Sequence, residues 1–242
     1  MKLIIIAAGK GSRIQSLSNG IPKTLLRIND KCMIDYIIDN CKEVGIKECV
    51  VVTGYRKELL SNYLKRVQKD ISIEVVYNPD WELPNGISVL AAKSAIPVGD
   101  NFLVTMSDHL YESSLLRKIK ECQLNKMTVK VGLDFNIDRI FDINDGMKVK
   151  VDPSDPKAIT AMSKNLNDFD AIDCGLFKCK YEFFNVLEQA KEKGIYYLSD
   201  ACNILINSRN LGGIDINNNF WIDIDTEEAF KYVQQNKFSI IG

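Results

Sequence analysis

The segment Gly9-Lys10-Gly11-Ser12-Arg13, followed by Pro22-Lys23, carries the residue types that hold a triphosphate. Two glycines let the backbone turn sharply and bring its N–H groups close to an anion. Arg13 offers phosphate oxygens a planar, permanent charge, and Lys23 adds a second cation. Carboxylates complete the chemistry. Asp108 follows an apolar run in Met106-Ser107-Asp108-His109, and Asp223 and Asp225 alternate in Trp221-Ile222-Asp223-Ile224-Asp225. On an extended segment the last two share a face. Hard carboxylate oxygens beside a triphosphate suit Mg2+, which takes one or two carboxylates plus phosphates and water. Asp108 is the expected first ligand. The second is Asp223 or Asp225, with Asp225 preferred.

Two familiar phosphate motifs fail on residue identity. A dinucleotide fingerprint needs glycine where Ile14 stands, and a P-loop needs Gly-Lys-Ser/Thr where the chain has Gly9-Lys10-Gly11. Alone, Gly9-x-Gly11 fits an ordinary strand-to-loop turn. Ala7, Ala8, Ser12, Arg13 and the Pro22-Lys23 pair shift the reading toward a nucleotide site. Asn85-Gly86-Ile87-Ser88 closes a Pro-containing loop and opens a helix. Its amide, glycine and hydroxyl could read a pyrimidine edge or hold ribose. His109 is the only histidine, so a Ser-His-Asp or Cys-His hydrolase is not expected. It either touches substrate or shapes its loop.

The elements that must position these residues follow from hydrophobic periodicity. Lys2–Ala8 is a short β-branched apolar run ended by Gly9, as in a buried parallel strand. Strands are predicted at 48–53, 72–77 and 101–106. Helices are predicted between them at 32–44, 57–68 and 87–95, and after them at 112–122. This βαβα rhythm predicts an α/β fold: a doubly wound, mostly parallel, Rossmann-like mixed sheet with helices on both faces. Ligands of such sheets sit at the carboxyl ends of the strands. Strand patterns then come without helices at 127–133, 139–143, 147–151 and 158–162, with Asp145-Gly146 as a hairpin turn. They predict a small β extension over about residues 127–170 of a single domain spanning 1–242. A strand at 171–179, helices at 181–193 and 199–208, a strand at 211–216 and a last helix capped by Thr226 complete the reading.

The chain has 242 residues, enough for a large α/β core, and its 31 basic and 32 acidic residues nearly cancel. No basic stripe points to nucleic acid, and no membrane segment is predicted. Seven cysteines, without a Cys-x-x-Cys pair, suit free thiols in a reducing cytoplasm. Cys174 and Cys179 are too loosely spaced, and too far from His109, to predict zinc.

The opening stretch resembles the nucleotidyltransferases that make activated sugars and alcohols, whose pattern is Leu-Ala-Ala-Gly-x-Gly-Ser/Thr-Arg followed by Pro-Lys. Ile6 stands for the usual leucine. The resemblance implies that Gly11, Ser12, Arg13 and Lys23 bind the triphosphate, with Arg13, Lys23 and Asp108 catalytic. Asn85-Gly-x-Ser88, Met106-x-Asp108-His109-x-Tyr111, Asp170-x-x-Asp173-x-Gly175-x-Phe177 and Trp221-x-Asp223-x-Asp225-Thr226 are more specific. They resemble the CTP:inositol-1-phosphate cytidylyltransferases, with Asp142 and Lys148 matching in the middle. This implies CTP and a small phosphorylated alcohol as partners. His109, Asp142, Lys148 and Asp173 would face the acceptor, the lysine on its phosphate and Asp173 on its hydroxyls. Related enzymes that use phosphocholine or phosphonates share several of these signals, and a sugar-1-phosphate nucleotidyltransferase is a further alternative. A metal-dependent glycosyltransferase would lack the Gly-x-Gly-Ser-Arg and Pro-Lys pair, and a non-catalytic nucleotide sensor would be expected to have lost some of these charges. The oligomeric state stays open, a homodimer included.

Overall fold

The computed structural model describes residues 1–18, 20–67 and 71–236. Strand β1 (Leu3–Ala7) is buried along its whole length. It lies between two parallel partners, β4 (Glu48–Thr53) and β6 (Phe102–Met106), and β5 (Ser72–Tyr77) adds a further parallel edge. Two short strands, β2 (Arg27–Ile28) and β3 (Lys31–Cys32), form a hairpin outside this sheet. Ala7 is in register with Thr53, and Ile6 with Met106. The carboxyl ends of the three central strands therefore finish at one edge, with Gly9 and Asp108 just beyond it.

Helices cover both faces. The alternation of β1 sends Ile4 and Ile6 to one side and Leu3 and Ile5 to the other. Besides the short α1 (Gln15–Ser18), the chain forms α2 (Met33–Glu43), α3 (Lys57–Val67), α4 (Asn85–Ala91) and α5 (Ser113–Glu121). The Leu3/Ile5 side packs on Ile37 of α2, Leu60 of α3 and Leu116 of α5. The Ile4/Ile6 side packs on Val89 of α4, Phe184 of α6 (Phe183–Glu192) and Leu205 of α7 (Leu198–Asn207).

The second half of the sheet is mixed. In chain order it adds β7 (His109–Tyr111), which lies outside it, then β8 (Val129–Asp134), β9 (Lys148–Asp152), β10 (Asp155–Ser163), β11 (Ala171–Cys179) and β12 (Leu211–Asp215). The order across the nine-stranded sheet is β5-β4-β1-β6-β11-β8-β12-β10-β9. β11 runs antiparallel to both β6 and β8. The predicted strand at 139–143 is instead a helical turn, Ile137–Arg139, followed by further turns. Asp145-Gly146 accordingly closes no hairpin. The hairpin falls between β9 and β10, where Asp152 faces Asp155 and accepts a hydrogen bond from Ser154 N at 2.8 Å. The helix predicted to reach Ala95 stops at Ala91 and gives way to a separate turn, Lys93–Ala95. The predicted helix end at Gln68 lies outside the described residues.

A pairing the local pattern did not reveal joins β7 to β13 (Trp221–Asp223), antiparallel, with Asp223 opposite His109. Thr226 caps α8 (Glu227–Gln235), its hydroxyl accepting from Ala229 N at 3.1 Å. Among the described residues no helix is long and apolar enough to cross a membrane.

Candidate active site

After β1 the chain turns through Gly9 and Gly11 into a short helical turn, Ser12–Ile14. Gly11 has a φ of +65°, and a Cβ there would lie 2.8 Å from Cβ of Lys23. Glycine thus lets the lysine stem pack across the loop. The Lys23 side chain is only 8% exposed. Its ammonium donates to Asp108 Oδ2 at 3.0 Å and to Asp225 Oδ1. Burial opposes this charge, but Asp108, Asp225 and Asp223 outweigh it and raise Lys23 above its ordinary range. Arg13, half exposed, bridges Asp145 Oδ2 at 2.5 Å and Asp225 Oδ2.

The three carboxylates converge because a small apolar cluster holds the alternate residues of their segments. Ile14, Leu26, Leu110, Ile222, Ile224 and Phe230 pack together. With Ile222 and Ile224 turned into that cluster, Asp223 and Asp225 face the opposite way, toward Lys23. Ile224 N donates to Asp108 O at 3.0 Å and pins the two segments together.

His109 Nδ1 lies 2.9 Å from Asp108 Oδ1 and 3.9 Å from Asp223 Oδ1. Burial works against a proton on His109, yet Asp223 and Asp108 raise its pKa to about 9. Burial also acts against Asp108, but Lys23 and His109 hold it well below the usual carboxylate range. Asp223 is pushed up to about 7 by burial, reinforced by Asp108 and Asp225. Asp173 is pushed up to about 7, also by burial.

The His109 ring stacks on Trp221, centroids 5.8 Å apart and planes 10° from parallel. Gly175, with φ of +76° in β11, leaves room for it: a Cβ there would lie 2.4 Å from His109 Cδ2. Gly175→Ala is therefore expected to cost roughly 2–4 kcal/mol from backbone strain and overpacking. Thermal unfolding checks this as a fall in Tm of about 5–15 °C.

These groups line one cavity of about 760 Å3. Of the residues singled out from the sequence, Ala7, Gly9, Gly11, Ser12, Arg13, Lys23, Asn85, Ser88, Asp108, His109, Asp142, Asp173, Asp223 and Asp225 line it. Ala8, Gly86 and Lys148 do not. Gly86 serves the fold: a Cβ there would lie 2.6 Å from Tyr196 O, so it admits the backbone entering α7. Asn85 Oδ1 accepts from Leu198 N at 3.0 Å at the same junction. The Ser88 hydroxyl is buried and accepts from Asn78 Nδ2 at 3.1 Å. Lys148 donates to Lys164 O at 2.9 Å and lies over Phe169. Lys164, Asp145 and Arg139 do line the cavity and were not anticipated. Lys164 Nζ donates to Asp145 Oδ1 at 2.7 Å, which places a third cation near the Arg13 side of the site. No motif marks these residues; only the folding of the 137–164 region brings them in.

The profile of the MobA-like NTP transferase domain matches residues 3–129, just over half of the chain. The chain belongs to the MobA-like NTP transferase family. This MobA-like chain is 30% identical to the bifunctional IPC transferase and DIPP synthase of Aquifex aeolicus, across 99% of its own length and 53% of that protein. It is 28% identical to the bifunctional protein GlmU of Methanocaldococcus jannaschii, across 96% of its length and 54% of that protein. It thus spans about half the length of the curated relatives it matches. Its fold superimposes on the inositol-1-phosphate CTP transferase from T. maritima with a TM-score of 0.83 and 20% identity, covering all of this chain and 98% of that one. A UDP-glucose pyrophosphorylase from Acinetobacter baumannii gives 0.82 and 19%, over 98% of this chain and 93% of that one. At these identities the likeness is one of fold.

The MobA-like site also has the donors a divalent cation takes. Among the described residues two groups, Asp108 with His109 and Asp223, and Asp145 with Asp223 and Asp225, each bring their ligand atoms within 4.8 Å of one another. Asp223 Oδ1 is buried without a hydrogen-bond partner among the described residues. Buried polar atoms are rarely left unpaired, so this oxygen fits a cation ligand.

Proposed function

We propose that the cavity transfers the cytidylyl group of CTP to a small phosphorylated alcohol, inositol 1-phosphate first among candidates, and releases pyrophosphate. One observation carries this reading: Arg13 from the strand-end glycine loop and Lys23 from the turn after Pro22 meet Asp108, Asp223 and Asp225 from two distant segments in a single cavity. The Aquifex relative, named as an IPC transferase, supports the choice of acceptor. The phosphate of the acceptor is already a nucleophile. Its oxygen attacks the α-phosphorus of CTP, the bond to the β-phosphate bridge breaks, and pyrophosphate leaves. Little proton chemistry is needed, so the chain's task is positioning and charge neutralisation.

Lys23 and Arg13 would offset charge on the α-phosphoryl group and on the departing pyrophosphate. Lys164 takes the part expected of Lys148, facing the acceptor phosphate, and Asp173 and Asp142 would face its hydroxyls. Asn85 would contribute to the nucleotide side. Asp108, Asp223 and Asp225 would hold Mg2+, whose charge would draw the phosphate oxygens together. Seven unpaired cysteines suit a reducing cytoplasm as the place of reaction.

Lys23 and Arg13 already neutralise Asp108 and Asp225, so the fold does not depend on the cation. Chelation with EDTA is expected to stop pyrophosphate release while moving Tm by less than about 4 °C. A pyrophosphate-release screen of CTP, UTP, ATP and GTP against inositol 1-phosphate, phosphocholine, aminoethylphosphonate and sugar 1-phosphates tests the reading. Release with CTP and inositol 1-phosphate is the expected result. Release only with a sugar 1-phosphate would replace the acceptor assignment. No release with any pair would remove the transfer reading.

A further inference from the structure

Asp134 ends β8 with no solvent exposure at all, yet it borders the cavity. Its Oδ1 accepts from Asn136 N at 3.0 Å. Its Oδ2 accepts from Arg139 Nε at 2.9 Å and Trp221 Nε1 at 2.8 Å, and Arg139 NH2 lies 2.8 Å away. Arg139 NH2 also donates to Asn217 O and Asn219 O at 2.9 and 3.0 Å. One buried carboxylate thus ties the 136–139 turn, the 217–219 loop and β13 together. A buried charge is tolerated only when paired and hydrogen-bonded, and here the pairing partners both line the cavity. Trp221 in turn carries the His109 ring, and His109 Nδ1 lies 2.9 Å from Asp108.

We propose that Asp134 is a positioning residue for the transfer site: it fixes the Trp221 indole as the platform for His109, and through His109 it aims the Asp108 carboxylate at Lys23. Nothing in the sequence motifs marks this residue. It lies in the chain between Leu133 and Phe135, and its polar partners among the described residues are Asn136, Arg139 and Trp221. The activity part of the inference rests on the cytidylyl-transfer reading; the link from Asp134 to Trp221 stands apart from it.

Asp134→Asn keeps the size of the side chain but offers one acceptor oxygen and one NH2 to donors that now use two oxygens. Trp221→Phe keeps a ring against His109 and removes only the N–H end of the indole. Three quantities are compared: turnover and KM with CTP and the best acceptor of the screen above, Tm, and the emission of Trp221 in chains carrying Trp81→Phe. Asp134→Asn is expected to lower kcat by about 10- to 100-fold through misplacement, with KM for CTP within about threefold. The emission maximum of Trp221 is expected to move, because the charged acceptor at its N–H has gone. Trp221→Phe is expected to lower kcat by a comparable factor, and the double variant to lose no more than Asp134→Asn alone.

A carboxylate that merely stabilises the fold would lower Tm and leave kcat in place. Unchanged emission in Asp134→Asn, wild-type kcat in Trp221→Phe, or fully additive losses would each overturn the proposal. Should Asp134→Asn fail to fold, Trp221→Phe decides by turnover alone: a kcat lowered about 10- to 100-fold with KM for CTP kept supports the proposal, and wild-type kcat overturns it. Should no acceptor support release by the unaltered chain, the transfer reading fails and the activity part of the inference with it, and the emission of Trp221 decides the Asp134–Trp221 link alone.

Discussion

Lys23→Ala is expected to lower pyrophosphate release by about 10^2- to 10^3-fold, the cost of removing one preorganised charge from a developing phosphate. The ammonium sits in a stem packed against Gly11, so its place does not depend on substrate. It is raised above its ordinary range and stays charged through neutral pH. Among the described residues no other cation bridges Asp108 and Asp225: Arg13 joins Asp225 to Asp145, His109 joins Asp108 alone, and Lys164 pairs with Asp145. Stability also falls, because Asp108 and Asp225 lose a shared counter-charge. The loss stays below the roughly 3–5 kcal/mol of a fully buried pair, since those carboxylates keep 28% and 22% of their side-chain exposure. A domain stable by about 5–15 kcal/mol survives that. Added Mg2+ is expected to raise the Tm of Lys23→Ala more than that of the unaltered chain, because the uncompensated carboxylates then bind it more strongly. Near-normal turnover in a folded Lys23→Ala chain would end the catalytic role assigned to the lysine.

The parts of the fold that could be read from sequence are those fixed by local pattern. The buried run of β1, the capping of α8 by Thr226 and the alternation of Asp223 and Asp225 each depend on neighbours a few residues away. The convergence of Gly9–Arg13 with Asp108 was legible because each follows a predictable strand, β1 and β6, at the same edge of the sheet; Lys23 and Asp225 were marked by motif and by the start of the last helix. The 137–164 region was not. Arg139–Ile143 has apolar residues at strand-like spacing, but Arg139 is drawn to Asp134, Asn217 and Asn219, and that long-range pull closes a turn there instead. The lysine expected to face the acceptor, Lys148, does not line the cavity for a similar reason. Lys148 and Lys164 are joined, Lys148 Nζ to Lys164 O, and only the β9–β10 pairing decides which ammonium faces the cavity. The β7–β13 pair, which sets His109 opposite Asp223, joins segments more than 100 residues apart and leaves no local trace.

Asp108→Ala is expected to reduce turnover by about 10^3-fold or more, since it removes an expected cation ligand and a partner of Lys23 in one step. Lys23 retains Asp225 and His109 retains Asp223 nearby, so Tm should shift by only a few degrees. The neighbouring carboxylates separate cation binding from ion pairing. Asp225 accepts from both Lys23 and Arg13, so Asp225→Asn should lower both Tm and turnover. Asp223 has a buried oxygen with no hydrogen-bond partner among the described residues, and burial pushes its pKa up to about 7. Asp223→Asn should therefore leave Tm unchanged or higher while raising the Mg2+ concentration needed for half-maximal release. If instead Asp108→Ala turns over normally at saturating Mg2+, the carboxylate between Lys23 and His109 serves only to hold them, and the cation must be sought at Asp145, Asp223 and Asp225.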